Sequence, residues 1–110
     1  MKGGDIIMNE KGSLDKLVVA LCADYARRKR AVRDKLVGRR VRMEYSYINA
    51  RMLEGAGEIA GGLLAEAFID EIGNAVGYAH SKIDCLGENA YKTYKKDIKE
   101  NIARRLHLID

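Results

Sequence analysis

Apolar residues recur through the middle of this chain at the spacing of one helix face, and this pattern most constrains the fold. They lie 3 or 4 positions apart: Val41, Tyr45, Ile48, Met52, Ala56, Ile59 and Leu63. A helix turns once every 3.6 residues, so these side chains form one buried stripe. No segment shows the alternation of a half-buried strand, and the 110 residues include no proline. The predicted fold class is all-α, a compact helical bundle forming one domain.

Further helices are predicted on both sides of this stripe. The first begins near Ser13, a good N-cap residue, and ends at Gly38. The last runs from about Glu88 to Leu106, and its buried stripe consists of Tyr91, Tyr94, Ile98, Ile102 and Leu106. Residues 73–87 are rich in turn-forming residues and predict a connection.

Four glycines interrupt the middle stripe: Gly55, Gly57, Gly61 and Gly62. Each costs up to about 1 kcal/mol relative to alanine inside a helix, so we expect them to have a role. They either let another helix approach closely or mark a kink between two shorter helices. Because the apolar face continues to Ile72, we favour one long, kinked element. The face formed by the four glycines is also our hypothesis for a homodimer contact.

The N-terminal residues are predicted to differ from the rest of the chain. Residues 1–12 are predicted to be a disordered tail and residues 13–110 the helical domain. Lys2-Gly3-Gly4-Asp5 can be encoded by an ideal bacterial ribosome-binding sequence, and Met8 follows at a suitable distance for a start codon. Our hypothesis is that residues 1–7 are a start-site artefact and that the source is a bacterium or its phage.

The compartment is predicted from the cysteines and from the apolar runs. No secretory signal opens the chain, and no apolar run approaches the ~20 residues of a membrane helix. Cys22 and Cys85 form no metal or redox motif, so we expect two reduced, mostly buried thiols. A cytoplasmic location in a bacterial host cell, without a membrane partner, is the prediction.

The chain contains no recognisable enzyme motif. Glu54 and Glu58 lie one helical turn apart and could share a metal ion, but no histidine lies at ligand spacing. Solvation, or pairing with basic helices, is the favoured interpretation, and both His80 and His107 are expected to be structural. We predict a non-enzymatic protein with no catalytic residue, no metal and no cofactor. A small hydrolase is disfavoured because no nucleophile–base pair can be named.

Charge is divided into three blocks, although the formal net charge is only +4. Residues 1–42 carry 12 basic and 5 acidic side chains, residues 43–91 carry 2 and 8, and residues 92–110 carry 6 and 3. Nine of the sixteen residues from 27 to 42 are basic. Such a cluster suits a phosphate backbone, or it neutralises the acidic block when the helices pack together. Four consecutive cations, residues 27–30, predict a helix that projects beyond the body or lies along its edge.

The predicted nucleic-acid contacts lie in the first basic block and in the last helix. They are Arg27, Arg28, Arg30, Arg33, Arg39, Arg40, Lys92, Lys95, Lys96 and Lys99. Tyr91 and Tyr94 lie among the lysines and could stack on bases. Their spacing places them on the apolar stripe, which favours a role in the core.

Residues 72–78 have the pattern of the middle of a helix-turn-helix. Gly73 is the small residue where two helices cross, and Gly77 is the turn residue that takes a positive φ. Ile83 lies where the next helix would contribute to the core. Since residues 77–87 are too many for a minimal turn, the recognition helix is either a short segment, residues 81–86, or the long helix from Glu88.

Three stretches resemble the small phage and prophage proteins of the ArpU and RinA group of late-gene transcription regulators. They are residues 24–30, residues 44–49, and a C-terminal part from Ile72 to Leu106. The resemblance implies a sigma-region-4-like helix-turn-helix at the C-terminus, with Lys92, Lys95, Lys96 and Lys99 facing DNA. This chain has Ala26 where the group has proline, and its glycine-rich centre and acidic block favour a protein–protein surface there.

The predicted function is a phage- or prophage-derived transcriptional regulator that binds nucleic acid, with DNA as the partner. The alternative is a small phage-encoded interaction or inhibitor protein. It would act on a host nucleic-acid-binding complex by pairing its charged faces with an acidic protein partner.

Overall fold

The computed structural model describes the backbone of residues 3–109 and the side chains of residues 12–109. This part of the chain is all-helical, which confirms the predicted fold class. Its helices are α1 Gly3–Ala23, α2 Tyr25–Arg33, α3 Arg39–Ala60, α4 Gly62–Gly73, the short 3₁₀ turn Tyr78–His80 and α5 Glu88–Arg105. Among these helices, none combines the length and the apolar character needed to cross a bilayer.

The helix α3 is central, because it packs against α2, α4 and α5, while α1 packs against α4 and α5. The largest fully buried side chains are Tyr91, Phe68, Met52, Ile69, Ile98, Ile102 and Val18. The rings of Phe68 and Tyr91 stack with their centroids 5.6 Å apart. The predicted stripes supply much of this core, and Tyr91 belongs to it, as the helical spacing favoured. Leu63, which was predicted to close the buried stripe of the middle helix, is instead 100% exposed near the start of α4.

The first predicted helix is two helices. A break at Asp24 separates α1 from α2, and α2 ends at Arg33. Gly38 is not a helix stop but the residue that precedes α3. The last helix is close to its predicted bounds, since α5 runs from Glu88 to Arg105.

The helix α1 begins at Gly3, so Ser13 lies inside it and is not its N-cap. Ser and Gly in a helix interior each cost no more than about 1 kcal/mol, which is too little to end a helix. The predicted tail comprises residues 1–12, and the side chains of residues 1–11 are not described. The start-site hypothesis concerns residues 1–7, which lie in the same range. Both stay predictions.

Helices end here in left-handed residues that are not glycine: Lys35, Ala75 and His107, with φ of 53°, 55° and 61°. After α2, for example, the Leu36 amide donates to the Ala31 carbonyl at 2.9 Å. Such hydrogen bonds satisfy carbonyls at the helix end and help to offset the roughly 1–2 kcal/mol cost of the left-handed conformation. The prediction that Gly77 takes the positive φ is wrong, because its φ is −88°.

Two of the central glycines have different roles. Gly61, with φ of 87°, joins α3 to α4, so the single kinked element predicted up to Ile72 is two helices. Gly55 is buried, and a Cβ there would lie 3.2 Å from the Ile102 Cα of α5. The kink and the close approach are therefore both confirmed, at different glycines. Because Gly55 already contacts α5, the homodimer face predicted from four glycines is interrupted within the chain itself.

Gly73 lies at a helix crossing, as predicted, but the crossing is with α1. A Cβ at Gly73 would lie 2.5 Å from the backbone nitrogen of Ala23. The backbones of α4 and α1 are therefore in direct contact at this point, and only glycine fits there.

Glu71 anchors the connection between α4 and α5. Its carboxylate is buried and accepts hydrogen bonds from the Ser81 and Tyr91 hydroxyls, both at 2.6 Å, and from the Lys82 amide at 2.8 Å. Burial raises the pKa of this carboxyl, but the three hydrogen bonds together bring it below its usual value. The sequence shows Glu71 only as one acid of the acidic block.

The two thiols differ in environment. Cys22 is buried, whereas Cys85 is exposed, which corrects the prediction that both are mostly buried. Burial raises the pKa of the Cys22 thiol to about 12. Cys22 is therefore unreactive in the folded protein.

We expect a thiol reagent such as Ellman's reagent to label Cys85 rapidly in the native protein and Cys22 only after denaturation. The reason is that the reactive species is the thiolate, which a buried thiol with a raised pKa does not form at neutral pH. Mass spectrometry of the labelled peptides measures this. Equal labelling rates at both cysteines under native conditions would contradict the packing around Cys22.

Candidate functional site

The nine basic residues from Arg27 to Arg42 lie on α2, on the first turn of α3 and on the segment between them. We call this region the α2–α3 corner (residues 25–47). The helix α2 has Arg30 and Arg33 in its last turn, where the helix dipole favours cations. The helix α3 begins with Arg39 and Arg40 and has no acidic residue in its first turn. Cations at a helix N-terminus cost about 0.3–1 kcal/mol each. Helix stability therefore does not explain these two arginines.

Arg28 is the exception among the predicted contacts, because it is only 3% exposed. Its Nε donates to Asn49 Oδ1 at 2.7 Å and its Nη2 to the Leu21 carbonyl at 2.6 Å. Asn49 in turn donates to the Tyr25 carbonyl at 3.2 Å. In this structure Arg28 is therefore occupied inside the chain and does not belong to the exposed cations, and α2 does not project beyond the body, because Tyr25, Arg28 and Ala31 are buried. Of its four consecutive cations, Arg28 points into the core, where Asn49 and the Leu21 carbonyl accept its hydrogen bonds.

The other predicted contacts of the corner are exposed, and several form surface ion pairs. Arg27 pairs with Asp24 at 3.1 Å and Arg33 with Asp34 at 2.9 Å, while Arg40 lies 4.0 Å from Glu44. The side chains of Arg27, Arg33 and Arg40 remain 51%, 69% and 95% exposed. Such exposed pairs contribute little to stability and exchange readily with other partners.

The neighbouring Lys29 is an example of charge pairing inside the molecule. Its Nζ lies 2.6 Å from Glu66 Oε2 of α4, and Tyr25 donates to the same oxygen at 2.7 Å. At the other end, Arg105 of α5 pairs with Glu54 and Glu58 of α3. The basic and acidic blocks therefore neutralise each other in part, as one of the two interpretations of the charge pattern expected.

The pairing with Arg105 also answers the question of a metal at Glu54 and Glu58. Asn101 donates to Glu58 Oε1 at 2.7 Å, so this carboxylate has two partners from α5. Among the side chains described, no group of three histidines, cysteines or acids could hold a metal ion. Of the two favoured interpretations, solvation and pairing with a basic helix, the structure shows pairing with α5.

The lysines of α5 are less available than their sequence suggests. Lys95 Nζ donates to the Val76 carbonyl at 2.6 Å, and burial lowers its pKa. Lys99 pairs with Asp15 of α1 at 2.9 Å and is 28% exposed. Lys92 pairs with Glu88 at 2.8 Å but is 65% exposed, and Lys96 is exposed. Two of the four predicted contacts thus already serve the packing of α5.

The predicted cations are not brought together into one surface. The helix α2 packs against α1, α3 and α4, whereas α5 packs against α1, α3 and the 3₁₀ turn. The largest group of exposed cations described lies on the α2–α3 corner, where the exposed Lys35 and the half-buried Arg42 extend the predicted set.

Exposed apolar side chains lie among the cations of the corner, and sequence reasoning missed them. Leu36, Met43 and Tyr47 are 63%, 64% and 50% exposed. The sequence did contain a signal for two of them: Met43 and Tyr47 lie outside the buried stripe of α3, so their side chains should be exposed. Together with the arginines, these side chains give the corner a mixed apolar and cationic surface.

Comparison of the chain with protein-family models, with curated proteins and with solved structures finds no match. The resemblance to the ArpU and RinA group therefore stays a prediction. The residues of the α2–α3 corner are the basis for a functional proposal.

Proposed function

We propose that this protein binds nucleic acid through the phosphate backbone, at the α2–α3 corner, and acts as a non-enzymatic regulator. The observation behind the proposal is the density of exposed cations: Arg27, Lys29, Arg30, Arg33, Lys35, Arg39 and Arg40. A cluster of this kind attracts a polyanion and releases its counterions on binding.

The placement of Arg39 and Arg40 supports the proposal most directly. Both begin α3, where the dipole disfavours a cation, and both are exposed. A favourable interaction with an anion outside the chain would compensate for this local cost. Arginine also suits phosphate, since its planar guanidinium can donate two parallel hydrogen bonds.

The regulatory part of the proposal comes from the resemblance to the ArpU and RinA group. A helix-turn-helix between α4 and α5 would need more than a minimal turn, because residues 74–87 connect them. In this proposal the α2–α3 corner holds the phosphate backbone of the nucleic acid. Lys92 and Lys96 provide further exposed cations on α5. Sequence reading, if it occurs, is assigned to residues 81–94.

We expect the double variant Arg39→Ala/Arg40→Ala to bind DNA about tenfold more weakly and to lower the slope of log affinity against log salt by about two. Each arginine that neutralises a phosphate adds about one to that slope. Fluorescence anisotropy with a labelled DNA, measured between about 50 and about 200 mM salt, gives both quantities.

The matched control is Lys16→Ala/Lys82→Ala, which also removes two exposed cations but lies outside the corner. It should leave affinity within about twofold of the wild type if binding is local to the corner. Equal losses of DNA affinity in the two double variants would show that binding depends on net charge and not on the α2–α3 corner. The absence of DNA binding by the wild type at low salt would refute the proposal.

A further inference from the structure

A groove of about 520 Å³ lies between α2 and α3, inside the α2–α3 corner. It is lined by Val32, Arg39, Arg42, Met43, Ser46 and Tyr47. Three of these side chains are apolar or aromatic, two are cationic and none is acidic. The groove is shallow and combines apolar side chains with positive charge.

The positions of Tyr47 and Arg42 are fixed by neighbouring groups. The guanidinium carbon of Arg51 lies 5.4 Å from the centre of the Tyr47 ring, one helical turn away. Arg42 Nη1 donates to the Val37 carbonyl at 2.8 Å, which holds its guanidinium beside the groove. Half of the Tyr47 surface remains exposed to solvent. The ring thus contacts Arg51 and keeps half of its surface accessible to a ligand.

We infer that this groove binds an unpaired nucleobase, stacked on Tyr47, with Arg39 and Arg42 contacting the adjoining phosphates. The inference rests on the proposed function and names its substrate class as single-stranded nucleic acid. Proteins that bind single strands combine a cationic groove with aromatic rings on which bases stack. The groove contains both elements.

A duplex fits this groove less well, because its bases are already stacked and only its backbone reaches a shallow surface. The exposed side chains of Met43 and Tyr47 would then stay in water. A protein partner fits less well for a different reason. Stable protein interfaces use about 20–30 residues on each side, whereas three apolar or aromatic side chains line this groove.

The test compares labelled single-stranded DNA of about 20 nucleotides with a duplex of the same sequence, using Tyr47→Ala and Tyr47→Phe. We expect the wild type to prefer the single strand, and Tyr47→Ala to lose about tenfold in affinity for it while its duplex affinity is unchanged. Tyr47→Phe keeps the ring and should bind as the wild type does. Thermal unfolding of both variants checks that each is folded.

The outcomes separate the inference from the proposed function. Equal affinity for the two DNAs, with no effect of Tyr47→Ala, would overturn the inference and leave binding through the phosphate backbone intact. Failure of the wild type to bind either DNA would overturn both. A loss in Tyr47→Phe as large as in Tyr47→Ala would show that the hydroxyl, not stacking, matters, and would also overturn the inference.

Discussion

The variant Gly73→Ala should unfold at a much lower urea concentration than the wild type, with a loss of about 2–4 kcal/mol in the free energy of unfolding. The added Cβ would lie 2.5 Å from the backbone nitrogen of Ala23 and 2.6 Å from the carbonyl carbon of Cys22. Backbone atoms cannot rotate away as a side chain can, so α1 and α4 must separate. That separation opens the core around Val18 and Ile72, and it outweighs the ~1 kcal/mol that alanine gains over glycine in a helix.

The control for this experiment is Gly77→Ala, four residues away. No atom outside its immediate chain neighbours lies within 4 Å of a Cβ at Gly77, and its φ of −88° suits any residue. We expect a change of less than about 0.5 kcal/mol. Gly55→Ala, where the nearest backbone atom of Ile102 is at 3.2 Å, should fall between the two. Wild-type stability in Gly73→Ala would contradict the close crossing of α1 and α4.

The second large effect is expected for Glu71→Gln, which should cost about 2–4 kcal/mol. The wild-type carboxylate accepts from Ser81, Tyr91 and the Lys82 amide, all of which are donors. A glutamine amide offers only one acceptor oxygen and turns an N–H group toward these donors, so at least one buried polar group loses its partner. Equilibrium urea unfolding at neutral pH measures the difference.

Glu66→Gln is the matched control, because Glu66 also accepts hydrogen bonds from a tyrosine and a second donor but is 48% exposed. Water can replace its lost contacts, so we expect a cost of no more than about 1 kcal/mol. Equal costs at the two positions would contradict the assignment of Glu71 as a buried anchor.

Acidification gives an independent check on Glu71. The folded state lowers the pKa of this carboxyl below its ordinary value of 4.5, so its stabilisation is complete above that value and is lost as pH falls through the folded pKa. The stability difference between the wild type and Glu71→Gln should therefore shrink between about pH 6 and about pH 3. A difference that stays constant over this range would show that the charge of Glu71 is not involved.

The helices could be predicted from the sequence where periodicity was strong, whereas the helix boundaries at Asp24, Arg33 and Gly61 could not. The stripe from Val41 to Leu63 and that of the last helix correctly placed Met52, Ala56, Ile98 and Ile102 in the core. The break at Asp24 has no local signal, since neither Pro nor Gly lies there. The end of α2 at Arg33 was missed because Lys35 takes a conformation for which glycine is the usual residue.

The candidate site was predicted only in outline. The run of basic residues indicated the right segment, yet spacing alone could not show that Arg28 would be buried by Asn49, which lies 21 positions further along the chain. Nor could it show that Lys99 meets Asp15 of α1. Contacts between distant segments decide which cations remain free, and a single sequence does not contain them. Tyr47 and Met43 were missed because the charge pattern contains no information about exposed apolar side chains.

The burial of Arg28 has a consequence for how this basic segment can change in evolution. Of four adjacent codons, three specify cations on the surface, where lysine and arginine can replace each other with little effect on folding. The fourth specifies a guanidinium that joins α1, α2 and α3 through Leu21 and Asn49, and lysine cannot reproduce its forked donors. Folding therefore requires arginine at position 28, whereas it tolerates either cation at positions 27, 29 and 30.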